Sequence, residues 1–289
     1  MNDFINYDSP SEINAFLRER GMGAQKKFGQ NFLINRAARE RLLSSLSPAA
    51  GEEVWEIGPG LGAMTSALLS SGALVRAFEV DRGFCAVLRE RFSANPAFSL
   101  IEGDALKTLG GASSAGVGKV KLFGNLPYNI AARLIAFCVE RGLLFPRVVL
   151  TVQREVARRI AAGPGSADYS SLSVLVSSAY DVRLLSVLKG ECFFPVPHVE
   201  SQALRLELKP GAVRPQADFF LIVRALFASR RKTIKNNLAA FLKPRGLPQP
   251  EAAAAAILER ASLHGGERAE RLCVVDFLRI TEAFGQSVH

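Results

Sequence analysis

The chain has 289 residues, which is enough for an α/β domain of about 200 residues and a smaller second domain. Apolar residues make up 48% and charged residues 22%, a composition typical of a folded globular protein that excludes a largely disordered chain. The formal net charge of +9 exceeds what solubility requires and favours a polyanionic partner such as nucleic acid.

Cysteine usage and hydropathy indicate the cellular compartment in which we expect the protein. The 4 cysteines stand far apart without a CxxC pair, and with 3 histidines they predict neither a disulfide framework nor a metal site. Residues 1–12 contain no apolar segment or basic cluster, and no apolar stretch approaches the roughly 20 residues that span a bilayer. We therefore expect a cytoplasmic protein without a membrane segment.

The first predicted elements are two helices. Ser9-Pro10-Ser11-Glu12 is typical of a capping box with proline at the first helical position, and Ile13, Phe16 and Leu17 share one face of the helix that follows. A loop over Lys26–Leu33 leads to a second helix, which the three- and four-residue spacing of Ala38, Leu42, Leu43 and Leu46 predicts.

Short apolar segments then alternate with helical ones, which predicts right-handed crossovers and a mostly parallel sheet. A last pair of strands, Asp181–Leu188 and Ala203–Leu208, is expected to pair antiparallel at the edge of this sheet, after a helix over Ser170–Ala179. The preceding strands are Glu53–Ile57, Leu74–Glu79, Phe98–Glu102, Val120–Gly124 and Val148–Val152, and the helices between them are Ala63–Ser70, Phe84–Phe92 and Ile130–Arg141.

A composition change marks the end of the α/β region. Lys209–Ala217 is rich in proline and glycine and is typical of a linker, and from Asp218 onward the patterns are helical, including an alanine run behind Pro250. We therefore predict an α/β domain over residues 1–210 and a small all-helical domain over residues 211–289.

A glycine-rich turn, Gly58–Gly62, follows the first strand and opens a helix, and Glu79 ends the next strand about twenty residues later. This arrangement is typical of a nucleotide-cofactor site. Gly58, Gly60 and Ala63 also fit the dinucleotide pattern G-x-G-x-x-G/A, so a dinucleotide site and a purely structural turn stay open as alternatives.

Two residues favour S-adenosylmethionine over a dinucleotide. Pro59 removes a backbone N–H that a pyrophosphate would use, and Glu56 places a carboxylate just before the turn. A carboxylate suits a sulfonium ligand that carries an ammonium group. Asp104, after the third strand, would accept a hydrogen bond from the cofactor's adenine amine, or would cap the next helix, and the spacing fits both.

Asn125-Leu126-Pro127-Tyr128 directly follows the fourth strand and is expected beside the cofactor. The exocyclic amine of adenine is a poor nucleophile because its lone pair is delocalised into the ring. The amide oxygen of Asn125 and the backbone carbonyl of Leu126 can each accept one N6 hydrogen and direct the lone pair toward a methyl group, and Tyr128 offers a stacking face for an extruded base.

Taken together, these motifs and several others carry a resemblance over nearly the whole chain. The chain resembles the ribosomal RNA small-subunit adenine dimethyltransferases, with macrolide-resistance methyltransferases and mitochondrial transcription factors as relatives. The matching segments are Phe28–Leu33, Glu56–Gly62, Glu79–Asp81, Gly103–Ala105, Asn125–Ile130, Phe193–Pro197 with Val199–Ser201, and Arg230–Leu238.

The resemblance implies a Rossmann-like methyltransferase domain over residues 1–210, whose residues 1–35 contact cofactor and RNA, and a helical RNA-binding domain over residues 211–289. It implies that Phe193 stacks on the flipped adenine opposite Tyr128, although its sequence context alone is typical of a core aromatic. The chain departs from the family pattern at His198 and Glu200, which makes that loop slightly less positive. The implied cofactor contacts are Gln30, Asn31, Leu33, Gly58, Glu79, Asp104 and Asn125, to which the glycine turn adds Glu56 and Gly60.

A basic stretch opens the helical region. Residues 219–250 include no acidic residue, and we expect a single helix here whose apolar stripe docks while the cations meet phosphates. The stripe would consist of Phe220, Val223, Phe227, Ile234 and Leu238. A solvated charged face is the alternative. The residues predicted to bind RNA are Lys26, Lys27, Arg224, Arg230, Arg231, Lys232 and Lys235, with Lys243 and Arg245 in the same stretch.

The expected activity is S-adenosylmethionine-dependent N6,N6-dimethylation of two adjacent adenosines in the hairpin loop near the 3′ end of small-subunit (16S) ribosomal RNA. The expected partner is this RNA or the assembling 30S particle, and the expected state is a monomer. Two alternatives remain, a DNA adenine N6-methyltransferase and a non-catalytic nucleic-acid-binding relative of the same fold. The first would normally carry a sizeable recognition insertion, and the second would usually have lost Asn125, Tyr128 or the glycine turn.

Overall fold

The structure is a computed structural model that describes residues 5–22, 31–111, 118–126, 130–212, 216–246 and 249–288. The chain divides into two compact units. The first unit comprises Met1–Ala157 and Asp181–Leu208, and the second comprises Arg158–Tyr180 and Lys209–His289. Within the described ranges, no helix is both long and apolar enough to cross a membrane.

A 7-stranded sheet forms the centre of the first unit, with the strand order β4-β3-β2-β5-β6-β9-β7. Strands β2 to β6 pair in parallel, and β9 joins β6 antiparallel, so the predicted mostly parallel sheet is confirmed. The strands are β2 (Glu53–Ile57), β3 (Leu74–Glu79), β4 (Phe98–Glu102), β5 (Lys121–Asn125), β6 (Arg147–Gln153), β7 (Tyr180–Leu188) and β9 (Ser201–Leu208).

The strand order places a crevice at the carboxyl ends of β2 and β5. From β2 the chain continues outward through β3 and β4, and then returns to β5 on the other side of β2. Ligands bind at such a reversal point in open α/β sheets. Glu56 is the penultimate residue of β2, Glu79 is the last residue of β3, and Asn125 lies opposite Thr151 at the end of the β5–β6 pair.

The helices that flank these strands follow the predicted pattern, with two additions. Helices α5 (Ala105–Gly111) and α7 (Arg154–Ala161) were not predicted, because α5 is short and ends in two glycines and α7 begins directly after Gln153 without an intervening turn. The others before Arg154 are α1 (Pro10–Glu19), α2 (Arg36–Leu46), α3 (Ala63–Ser70), α4 (Arg82–Phe92) and α6 (Ala131–Arg141).

Only half of the predicted amino-terminal capping box is present, because the Ser9 N–H donates to the Asn6 carbonyl at 3.2 Å and the Glu12 carboxylate accepts from the Asn6 amide at 3.3 Å. The Ser9 hydroxyl accepts a hydrogen bond from the Glu12 backbone N–H at 3.3 Å, and Pro10 is the first residue of α1. Ile13 and Leu17 are buried in a cluster with Leu61 of the glycine turn. The first helix therefore packs beside the crevice.

A small second sheet was not predicted, because each of its strands has only 2 residues. Strand β1 (Phe32–Leu33) pairs antiparallel with β8 (Phe193–Phe194), so that Leu33 lies opposite Phe193. The backbone N–H groups of Ile34 and Asn35 also donate to the Cys192 carbonyl, at 2.9 and 3.3 Å. This pairing brings residues 31–35 to the segment that contains Phe193.

The second unit is helical where it is described, and its extent differs from the predicted domain. The predicted domain boundary at residue 210 lies close to the observed division after Leu208. Residues Arg158–Tyr180, however, were predicted in the α/β domain and belong to the second unit. Its helices are α8 (Ser171–Ala179), α9 (Ala217–Leu226), α10 (Ile234–Leu242), α11 (Pro250–Arg260) and α12 (Val274–Val288).

Long-range packing explains the placement of Arg158–Tyr180. Tyr169 is 1% exposed, and its hydroxyl donates to the Leu272 carbonyl at 3.0 Å. The Gly165 N–H donates to the Glu270 carbonyl at 2.7 Å. These partners lie about a hundred residues away in the chain, and no local pattern predicts such contacts.

Candidate active site

A cavity of about 280 Å³, here called the central cavity, lies in the first unit at the carboxyl ends of β2, β3 and β5. Every described residue that was predicted to bind cofactor or take part in catalysis lines it. These residues are Asn31, Leu33, Glu56, Gly58, Gly60, Glu79, Asp104, Asn125, Leu126 and Phe193. Gln30, Tyr128, Lys26 and Lys27 lie outside the described residues.

The turn between β2 and α3 requires glycine at particular positions. Gly60 has φ +57, and a Cβ there would lie 3.3 Å from the Phe32 ring. Gly62 has φ +86, and a Cβ there would lie 2.6 Å from the Phe92 ring. A side chain at Gly62 would therefore meet both backbone strain and a clash.

Glu56 is a buried carboxyl in the wall of the central cavity. Its side chain is 2% exposed and accepts a hydrogen bond from the Thr65 hydroxyl at 2.6 Å. Burial raises the pKa of Glu56 to about 7, and the nearby Glu79 carboxylate adds to the rise. A cation in the cavity would favour the ionised form of this group.

Glu79 is held by the backbone around it. One carboxylate oxygen accepts from the N–H groups of Val80 and Asp81, both at 2.9 Å, and the other accepts from Gly60 N–H at 3.1 Å. Burial raises the pKa of Glu79, and these three hydrogen bonds oppose the rise. The carboxylate is therefore fixed against the glycine turn, and one acceptor position is left for a hydroxyl donor in the cavity.

Asp81 and Asp104 both act as helix caps. The Asp81 carboxylate accepts from the N–H groups of Gly83 and Phe84 at 2.8 and 3.2 Å, at the start of α4. The Asp104 carboxylate accepts from Leu106 N–H at 3.0 Å, at the start of α5, and it also lines the central cavity. The two interpretations of Asp104, ligand contact and cap, are thus compatible, since capping uses one oxygen.

Asn125 ends β5, and its side-chain amide is held on both sides. Its Nδ2 donates to the Asn31 carbonyl at 3.0 Å, and its Oδ1 accepts from the Thr151 hydroxyl. The backbone N–H of Leu126 donates to the Thr151 carbonyl at 3.2 Å. The structure thus joins a predicted cofactor contact, Asn31, to the predicted catalytic residue Asn125.

Phe193 fits both interpretations made from the sequence. Its side chain is 2% exposed and belongs to a core cluster with Leu33 and Phe123. It also lines the central cavity, where its pairing with Leu33 holds it. At the departures from the family pattern, His198 is exposed and Glu200 forms an ion pair with Arg154 at 2.5 Å.

The central cavity also contains residues that sequence reasoning missed. Tyr7 lines it, and the Tyr7 hydroxyl donates to the Leu61 carbonyl at 2.8 Å while Arg91 contacts the same hydroxyl. Burial raises the pKa of Tyr7, and Arg91 opposes that rise. Ser201 is a further lining residue. No motif marks Tyr7, whereas Ser201 stood inside a segment that carried the family resemblance.

The predicted RNA-binding residues of the second unit are exposed, but they do not lie on one continuous helix. Helix α9 ends at Leu226 and α10 begins at Ile234, so Arg230, Arg231 and Lys232 lie in the connecting residues 227–233, here called the basic loop. The expectation of one apolar stripe along a single helix was wrong at this point. Arg224 lies on α9 and Lys235 on α10.

Side chains of the second unit hold the basic loop. The Asn237 amide donates to the carbonyls of Leu226 and Ser229 at 2.8 and 3.0 Å. Arg230 donates to the Ala167 carbonyl at 2.8 Å and pairs with Glu270 at 3.3 Å. Arg230 is therefore partly a structural residue.

The sheet order, the glycine turn beside two buried carboxyl groups and the asparagine at the end of β5 together define a Rossmann-like methyltransferase. The chain belongs to the ribosomal RNA adenine dimethylase family, whose model matches residues 21–279. It is accordingly an enzyme, a ribosomal RNA adenine dimethyltransferase.

Two relatives agree with this assignment, and a solved structure shares the fold. Ribosomal RNA small subunit methyltransferase A from Treponema denticola is 45% identical over 97% of this chain and 96% of its own length. The protein of the same name from Pelotomaculum thermopropionicum is 35% identical over 96% of each chain. A dimethyladenosine transferase from Plasmodium falciparum has the same fold, with a TM-score of 0.75, 23% identity, and coverage of 88% of this chain and 97% of that one.

Proposed function

We propose that this chain uses S-adenosylmethionine to dimethylate N6 of two adjacent adenosines in the 3′-terminal hairpin loop of small-subunit ribosomal RNA. The observation that carries the proposal is the position of Asn125 and Leu126 in the wall of a cavity that also holds Glu56 and Glu79. The names of the relatives support the small subunit as the source of the RNA.

The chemistry of the cavity fits this cofactor. Glu56 is a buried carboxyl that a cationic ligand would ionise, and Glu79 is a fixed carboxylate with one acceptor position left for a ribose hydroxyl. Asp104 has a second oxygen for an adenine amine. Asn31, Leu33, Gly58 and Gly60 complete the described part of the site, and Gln30 is the further contact that we propose. When bound, the cofactor supplies an electrophilic methyl group.

The residues after β5 position the nucleophile. The Asn125 amide oxygen and the Leu126 carbonyl each accept one hydrogen of the adenine amine, which directs the nitrogen lone pair toward the methyl donor. Neither acceptor has to gain or lose a proton. Phe193 and Tyr128 hold the flipped base between aromatic faces.

The basic residues bind the RNA backbone. Arg224, Arg231, Lys232 and Lys235 are exposed, and such cations bind phosphates without reading the sequence. Lys26 and Lys27 extend this set, and Arg230 contributes less because it has internal partners. Recognition of RNA shape, followed by extrusion of one adenine, fits a pocket for a single base. The proposed substrate is small-subunit ribosomal RNA, either naked or in the assembling 30S particle, and the proposed enzyme is a cytoplasmic monomer.

The proposal is tested by incubating the protein with a methyl-labelled donor and unmethylated small-subunit particles, and then mapping the label by mass spectrometry. We expect N6,N6-dimethyladenosine at two adjacent positions of the 3′-terminal hairpin. Naked small-subunit RNA and duplex DNA are the parallel substrates. Labelling of the DNA alone, or the absence of label from all three, would contradict the proposal.

A further inference from the structure

A buried hydroxyl lies directly behind the Asn125 amide. Thr151 stands on the central strand β6, opposite Asn125 in the register, and is 2% exposed. Its neighbours in the run Val148–Val152 are apolar, as expected of a strand buried on both faces. A hydroxyl in such a place costs free energy unless it forms a hydrogen bond, and this one donates to Asn125 Oδ1.

The direction of that hydrogen bond follows from the group on the other side of the amide. The Asn31 carbonyl can only accept, so the Asn125 Nδ2 must face it, at 3.0 Å. The Asn125 Oδ1 therefore faces Thr151, and the hydroxyl of Thr151 must be the donor. The backbone carbonyl of Thr151 accepts from Leu126 N–H as well, at 3.2 Å.

We infer that Thr151 is a positioning residue for methyl transfer, whose hydroxyl holds the Asn125 amide so that the free lone pair of Oδ1 faces the adenine amine. The inference rests on the proposed function, because it assumes that Asn125 accepts an N6 hydrogen. An amide oxygen has two lone pairs, so the bond to Thr151 leaves one for the substrate. Without the hydroxyl, the broad terminal torsion of asparagine leaves this acceptor less well aligned.

The test replaces the hydroxyl while keeping the volume. In Thr151→Val, which is nearly isosteric and has no donor, we expect the single-turnover rate to fall about three- to tenfold, the range that one net hydrogen bond implies. The cofactor Kd and the KM for the RNA particle should stay within about twofold of wild type, since binding is not what the hydroxyl improves. Thr151→Ser keeps the donor and should restore the rate.

A second buried threonine provides the matched control. Thr281 is 5% exposed, and its hydroxyl donates to the Phe277 carbonyl at 2.8 Å within α12. Thr281→Val therefore removes a buried hydroxyl that has no bond to Asn125, and its single-turnover rate should equal that of wild type. Thr151→Ala is the second variant without a donor, in case Thr151→Val does not fold.

The outcomes separate this inference from the proposed function. A wild-type rate in Thr151→Val or Thr151→Ala would overturn the inference. A rate in Thr151→Ser as low as that of the valine variant would do so too, because it would assign the loss to packing. If wild-type protein formed no dimethyladenosine on small-subunit particles, the proposed function itself would fail, whatever the variants did.

Discussion

The central cavity and the basic loop hold their functional side chains in opposite ways. In the cavity, Glu79 accepts three backbone hydrogen bonds, and the Asn125 amide has a partner on each side within the first unit. In the basic loop, Arg231 and Lys232 are exposed, and their charges are screened by salt. Fixed groups suit a reaction that depends on geometry, whereas exposed cations suit a backbone that is bound without sequence preference.

The comparison predicts effects of different size and kind. A substitution in the cavity should remove one geometric element and cause a large, specific loss. A substitution in the basic loop should remove one of several similar contacts and cause a smaller loss that depends on salt.

The largest effect is expected at Asn125. In Asn125→Ala we expect the turnover number to fall about a hundredfold or more, the magnitude typical of losing one preorganised transition-state contact. Cofactor binding, measured by calorimetry, should persist because Glu56 and Glu79 are unchanged. Turnover at the wild-type level in a folded Asn125→Ala protein would remove the residue from the mechanism.

The glycine turn should be nearly as sensitive, through stability. Gly62→Ala would place a Cβ 2.6 Å from the Phe92 ring at φ +86, so we expect a loss of about 1–3 kcal/mol and a lower apparent Tm. Gly163→Ala is the matched control, since Gly163 has ordinary φ and no atom within 4 Å of the added carbon. Equal Tm values for the two variants would contradict the steric argument.

Strands and glycine turn were predictable for a physical reason. Strands β2, β3 and β4 begin and end at the predicted residues. A short apolar run bounded by glycine and charged residues indicates a buried strand, because its residue types follow from burial. The carboxyl ends of parallel strands meet at one edge, so Glu56, Glu79 and Asn125 could be placed together before any contact was known.

Other parts of the site depend on partners that are distant in the chain. Tyr7 enters the cavity through a bond to Leu61, and Thr151 matters only because β6 lies beside β5. The segment Arg158–Tyr180 joins the second unit through residues about a hundred positions away. Local patterns contain no record of such pairings. For Thr151 the one signal in the sequence is a polar residue within an apolar strand.

After the effects at Asn125 and Gly62, the next largest effect is expected in the pH dependence of cofactor affinity. Burial raises the pKa of Glu56 to about 7, so near pH 6 the carboxyl is mostly protonated and must release its proton when a cationic ligand binds. Affinity for S-adenosylmethionine should therefore rise as the pH increases, by about tenfold between pH 6 and pH 8, and then level off.

Calorimetric titrations across that range provide the measurement. Glu56→Gln cannot ionise, so its affinity should be lower at pH 8 and nearly independent of pH. Glu53→Gln is a suitable control, because this strand residue is only partly buried and does not line the cavity. A wild-type affinity that is constant from pH 6 to pH 8 would show that Glu56 does not face the cationic part of the ligand.

The smallest effects should separate two adjacent arginines of the basic loop. Arg231 is exposed, and its replacement by glutamate should weaken RNA binding and reduce the slope of log affinity against log salt by about one, the value for one lost phosphate contact. Arg230 has part of its capacity engaged by Ala167 and Glu270, so Arg230→Gln should change that slope less. The same variant should lower the stability of the second unit by less than about 1 kcal/mol, because its ion pair is half exposed.

Filter-binding titrations at several salt concentrations distinguish the two residues, and cofactor affinity should be unchanged in both variants. Charge reversal at both positions should weaken RNA binding further than either change alone. If Arg230→Gln reduced the salt slope as much as Arg231→Glu did, the internal partners of Arg230 would have to be released when RNA binds. The basic loop would then change its structure when RNA binds. The contrast between the fixed cavity and the exposed loop would in that case include a difference in conformational change.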